Sequence, residues 1–127
     1  MRLRIVLAAL AASACALASA AAAGQQSIVA CDAVSSSCGA TSIPAANGVY
    51  FSVTTGGGNR TYASVAVECS VSGTVVYSTI LNVVVEPKSE GKSPTVYPPA
   101  GSCVASLEKQ MAIGRAQILG TTNFTIT

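Results

Sequence analysis

The chain carries four cysteines beyond its N-terminal apolar stretch, Cys31, Cys38, Cys69 and Cys103, and no other feature narrows its possible folds so far. An even number of cysteines in a short exported chain reads as two disulfides, for which three pairings exist. The spacing favours Cys31–Cys38 as a local clip across a Ser-rich loop, with Cys69–Cys103 joining two strands. Cross-pairing of the first two with the last two is the alternative. The longer link closes a loop of about 35 residues, for which the chain-entropy account gives ~3–4 kcal/mol. A structural zinc site is the competing use of four thiols, but the sequence has no C-x-x-C spacing and no histidine to complete a tetrahedral set. No metal and no cofactor is expected.

The disulfide reading depends on export, and the N-terminus carries the signals for it. Met1-Arg2-Leu3-Arg4 is a short positive region, followed by an apolar run from Ile5 to about Leu17. Small residues follow at Ala18-Ser19-Ala20 and at Ala21-Ala22-Ala23, before Gly24. A basic start, a short apolar core and an A-x-A site make a secretory leader, here residues 1–23 with cleavage after Ala20 or Ala23. The run is too short and too alanine-rich for a membrane span, which needs ~20 strongly apolar residues. A second processing site, Ser13-Ala14-Cys15, would leave Cys15 lipid-anchored as in a bacterial lipoprotein, although Ala12 is a poor start for such a site. The expectation is a secreted, extracellular, single all-β domain over residues 24–127.

Removing the leader removes Arg2 and Arg4, and with them the whole formal charge of +2. Arg60, Lys88, Lys92, Lys109 and Arg115 then balance Asp32, Glu68, Glu86, Glu90 and Glu108. A chain near zero net charge has no long-range field to capture nucleic acid or anionic lipid.

Period-two patterning predicts the strands. Gly48 to Thr54 is β-branched and aromatic, and Thr61 to Val71 alternates, with Val65, Val67, Cys69 and Val71 on one face. Ser72-Gly73 reads as a two-residue hairpin turn that sets Cys69 opposite Val76, and Tyr77 opposite Glu68 on the outer face. Thr74 to Glu86 continues as a strand long enough to need a bend or bulge near Ser78 or Asn82. Further strands are expected at Cys103 to Met111, Ile113 to Leu119 and Thr122 to Ile126, with a short one at Thr95 to Tyr97. Val34 to Asn47 reads as loop with at most one short strand, and Gly56-Gly57-Gly58-Asn59 as a turn. About seven short strands imply a small two-sheet antiparallel sandwich, immunoglobulin-like in architecture, with the long disulfide pinning its sheets across the core. The tryptophan usual in an immunoglobulin core is absent.

The inventory of reactive groups argues against catalysis. Without histidine there is no ordinary Ser-His or Cys-His pair, and one Asp cannot form an aspartate dyad. A glycosidase-type carboxylate pair would have to come from Glu68, Glu86, Glu90 and Glu108, which read as surface groups. Two S-x-x-K patterns, Ser89 to Lys92 and Ser106 to Lys109, fall in a Gly/Pro loop and on a strand. The helical face that a serine–lysine pair needs is missing from both. Tyr62, Tyr77 and Tyr97 are too few for a convincing sugar platform. Asn59 and Asn123 lie in N-x-[ST] sequons, and both are expected exposed and open to glycosylation in a eukaryotic source.

Function is therefore expected in surfaces, and the best candidate is the connection Pro87 to Ser102, which holds four of the five prolines. Within it Lys92, Thr95, Tyr97 and Pro98 are the candidate binding residues, with Tyr97 as a low-entropy aromatic contact. The expected role is a non-enzymatic interaction module for an extracellular protein, on a host or a neighbouring cell. Two other roles fit the same residues: an inhibitor of a secreted hydrolase, using the same loop, and a structural subunit of a filament or coat. The last is suggested by Val75 to Val85, an aggregation-prone edge if exposed.

Overall fold

A computed structural model describes residues 26–112 and 114–127. The expected leader, its cleavage sites and Cys15 lie outside the described residues, as does Ile113.

The alternating segments form the strands they predict. In chain order the elements are β1 Ser27–Asp32, β2 Ser42–Ile43, β3 Val49–Thr54, β4 Thr61–Val71, β5 Thr74–Val85, β6 Gly91–Lys92, β7 Gly101–Ala112 and β8 Arg115–Ile126. They make two sheets, a three-stranded one in the order β1-β3-β6 and a five-stranded one in the order β2-β8-β7-β4-β5. The protein is an all-β two-sheet sandwich, an arrangement consistent with an immunoglobulin-like architecture. Pairing is antiparallel throughout except that β2 runs parallel to β8.

The core lies between the sheets. Ile28, Ala30, Val49, Phe51 and Val53 from the smaller sheet meet Val65, Val67, Leu81, Val83, Ala105, Leu107, Phe124 and Ile126 from the larger. Across this layer the Phe51 and Phe124 rings stand 5.6 Å apart at 60°. A tilted aromatic contact of this kind adds to the burial of the rings themselves.

Both favoured disulfides are formed, Cys31–Cys38 and Cys69–Cys103. The second does not pin one sheet to the other. Cys69 and Cys103 are direct cross-strand neighbours on β4 and β7, with Cα atoms 4.0 Å apart. The bridge thus locks the register of the larger sheet from within.

Four strand details also differ from the sequence expectation, each with a local cause. The turn at Ser72-Gly73 places both residues at positive φ, 52° and 82°, as a tight hairpin with the native twist requires. Directly after it a bulge opposite Cys69 and Ser70 takes up one residue, so Cys69 faces Tyr77 and not Val76. Tyr77 is turned inward against the core and Ser78 takes the place opposite Glu68, while the bulge itself, at Val76, lies near Ser78 as expected. β8 is one strand where two were expected. The glycine at 120 marks a register shift against Leu107 and Glu108 rather than a chain reversal. The strand expected at Thr95 to Tyr97 shrinks to a single bridge, Val49 with Val96, and the pairing falls instead on Gly91–Lys92. Finally, β1 forms where the sequence predicts no strand, because its partner β3 supplies the pairing.

Candidate functional site

The connection from β5 to β7 crosses from the larger sheet to the smaller and back, and its backbone is tied down along the way. Gly91 and Lys92 pair with Val53 and Ser52. The Ser93 amide donates to the Phe51 carbonyl at 2.9 Å. The Ser93 hydroxyl accepts from the Phe51 amide at 2.8 Å and donates to the Pro94 carbonyl at 2.9 Å. Ser93 is buried, so its hydroxyl satisfies an amide that water could not easily reach. Val49 and Val96 then exchange both backbone bonds at 2.9 Å. Ser52 donates to the Glu90 carboxylate at 2.7 Å, which fixes the start of the crossing.

Beyond Val96 the chain presents Tyr97, 65 % exposed. Its ring lies against Gly48. A Cβ built on Gly48 would come 2.6 Å from Tyr97 Cε2 and 3.0 Å from Thr95 Cγ2, and the glycine has φ +79°. Only glycine meets both conditions, the positive φ and the close aromatic neighbour. Gly48 in turn is held from beneath. Its carbonyl accepts from the Ala33 amide at 3.0 Å, and the preceding Asn47 donates from Nδ2 to Asp32 at 2.9 Å.

Asp32 is the hub of this support. Besides Asn47 it accepts the Val34 amide at 2.8 Å and the Ser35 amide at 3.1 Å. These bonds favour the ionised form, the Asn47 side chain most and the Ser35 amide next, and they hold the carboxyl below the usual aspartate range. The Cys31–Cys38 disulfide closes the same loop. Asp32, Asn47, Gly48 and Tyr97 therefore form a continuous line of support from a cross-linked loop to an exposed ring.

Of the expected binding residues, the structure brings Thr95 and Tyr97 together over Gly48, and places Lys92 exposed on β6 opposite Ser52. Pro98 is not available: it is among the fully buried side chains and anchors the loop from inside. Sequence reading missed Ser93, Asp32, Asn47 and Gly48. The signal for the last two was the Asn-Gly dipeptide, a standard turn marker, lying between a loop and a strand.

The sequon asparagines are both exposed, Asn59 in the turn before β4 and Asn123 on the outer face of β8 opposite Val104. The carboxylates are dispersed. Glu86 pairs with Arg60 at 3.1 Å, Glu90 holds Ser52, and Glu68 stands exposed on the outer face of β4. Among the described residues no group of three or more His, Cys, Asp or Glu side chains could hold a metal ion. Ser106 pairs opposite Ala66 and Lys109 opposite Ala63, positions on opposite faces of β7. The chain matches no family model, no curated protein and no solved structure.

Proposed function

We propose that this is an exported, non-enzymatic protein that binds an extracellular protein partner through the crossover loop, with Tyr97 as its central contact, Thr95 beside it over Gly48, and Lys92 further back along the crossover opposite Ser52. The observation that carries this reading is an exposed tyrosine whose orientation is set by a glycine beneath it and by backbone bonds before it. A large aromatic already held in place loses little conformational freedom on binding, which is the property that suits a recognition contact. The two disulfides are compatible with life outside the cell, where such a scaffold persists.

The test is capture from the native extracellular milieu on the immobilised, oxidised protein, alongside a double variant Tyr97→Ala with Lys92→Ala. Both substituted side chains are exposed, so the melting temperature should stay within the small range typical of surface changes. Loss of the captured partner at unchanged stability supports the loop, and equal capture by both proteins rejects it. If what is captured is a secreted hydrolase whose activity falls on binding, the role is inhibition.

A further inference from the structure

A second surface, independent of the crossover loop, has the chemistry of a self-association site. Among the described residues β5 is the outermost strand of the larger sheet, paired there only with β4. Its twelve residues, Thr74 to Val85, contain no charge, no proline and no glycine. Exposed edges are normally blunted by such residues, because unpaired amides and carbonyls otherwise recruit another strand. Here the edge also displays apolar side chains: Val75, Val76, Ile80 and Val84 are all exposed, Ile80 at 67 %.

One end of this edge is already covered. A Cβ on Gly91 would come 2.7 Å from the Val84 carbonyl and 3.0 Å from the side chains of Val83 and Val85, so β6 approaches the β5 backbone there. The open stretch is therefore Thr74 to Asn82, and its midpoint is Ser78. Antiparallel pairing of that stretch with itself about Ser78 sets Val76 opposite Ile80 and Tyr77 opposite Thr79, with Ser78 facing its own equivalent, and the bulge at Val76 ends the regular pairing there. The exposed apolar pair, Val76 with Ile80, occurs twice about the axis. The nearest charge is Glu68, exposed on β4 opposite Ser78, and in the joined sheet its two copies lie three strand spacings apart, about 14 Å. No like charges become direct cross-strand neighbours.

We propose that the protein forms a closed twofold dimer in which β5 of one copy pairs antiparallel with β5 of a second copy about Ser78, joining the two larger sheets into one. A self-complementary edge related by a twofold axis closes on itself and leaves no β5 edge to propagate.

Sedimentation equilibrium of the full secreted protein over a wide concentration range tests this, with two variants compared. Ile80→Lys places a charge in the strand pair and should weaken self-association by roughly tenfold or more. Ile118→Lys alters another exposed isoleucine on the same sheet, on β8, and should leave the dimer intact. Ser78→Cys should yield a disulfide-linked dimer on oxidation, which reports the register even if the lysine variant folds poorly. A monomer at every concentration overturns the proposal. So do open-ended polymers, an equal effect of the two lysine variants, or failure of Ser78→Cys to cross-link.

Discussion

The crossover between β5 and β7 and the free edge of β5 begin from opposite sequence signals and reach opposite states. The crossover is rich in Pro, Ser and Gly, the composition of a pliant loop, yet its backbone groups at Ser93 and Val96 are bonded to β3. β5 is as regular a strand sequence as the chain contains, yet along Thr74 to Asn82 only one side of its backbone is paired within the sheet. The comparison teaches that irregular sequence is a poor guide to mobility. What matters is where each amide and carbonyl is satisfied. The crossover offers a partner fixed side chains, while the β5 edge offers unspent hydrogen bonds. The first suits specific recognition of another protein and the second suits another strand.

The two disulfides divide along the same line and give the largest expected effect. Replacing Cys69 and Cys103 by Ala should cost ~3–4 kcal/mol in denaturant unfolding, because the longer loop is released within the sheet that carries β5. Replacing Cys31 and Cys38 should cost less, ~2–3 kcal/mol, because the closed loop is shorter. That smaller loss should nonetheless reduce partner capture, since the loop it closes supports Asp32 and the Gly48 turn. If the two pairs cost the same and leave capture equally intact, the proposed division between scaffold and recognition surface breaks down.

A finer contrast comes from two serines. Ser93→Ala leaves the Phe51 amide without its buried acceptor and should cost about 1–3 kcal/mol, with faster hydrogen exchange at that amide. Ser78→Ala, exposed on β5, should change monomer stability by less than about 0.5 kcal/mol. Equal effects would mean that the crossover is no better fixed than the edge.

The smallest expected effect is in acid. Because the folded Asp32 carboxyl titrates below its unfolded value of about 4, its contribution is fully present above that value. It is lost as the pH falls through the lower, folded value. Asp32→Asn should flatten that part of the acid unfolding curve and lower stability slightly at neutral pH, where the carboxylate's contribution is fully present. An unchanged acid limb would show that Asp32 is not the hub of the Gly48 support.

Much of the sandwich was legible because period two is local. Val65, Val67 and Cys69 face the core as their spacing requires, and so do Cys103, Ala105, Leu107, Phe124 and Ile126. Of the pairings the sequence left open, the one its spacing favoured is the one formed. What escaped depended on one-residue shifts and distant partners. The bulge opposite Cys69 turned Tyr77 inward, and beside Gly120 a register shift inside one strand replaces the break expected between two. In the candidate site Tyr97 stood out as an aromatic in a proline-rich loop, but Pro98 beside it proved to be core. The supports of Tyr97 come from Asp32, Asn47 and Gly48, far away in sequence, and no local pattern announces that they converge.

Amide hydrogen exchange followed residue by residue, on dilute and on concentrated oxidised protein, tests most directly whether the crossover is fixed and the β5 edge unspent. The amides of Val49, Phe51, Ser93 and Val96 should be protected alongside the core at both concentrations. The β5 amides that point away from β4 should exchange quickly when dilute and slow on concentration. Rapid exchange at Ser93 and Val96, together with edge amides already protected at high dilution, would contradict the account.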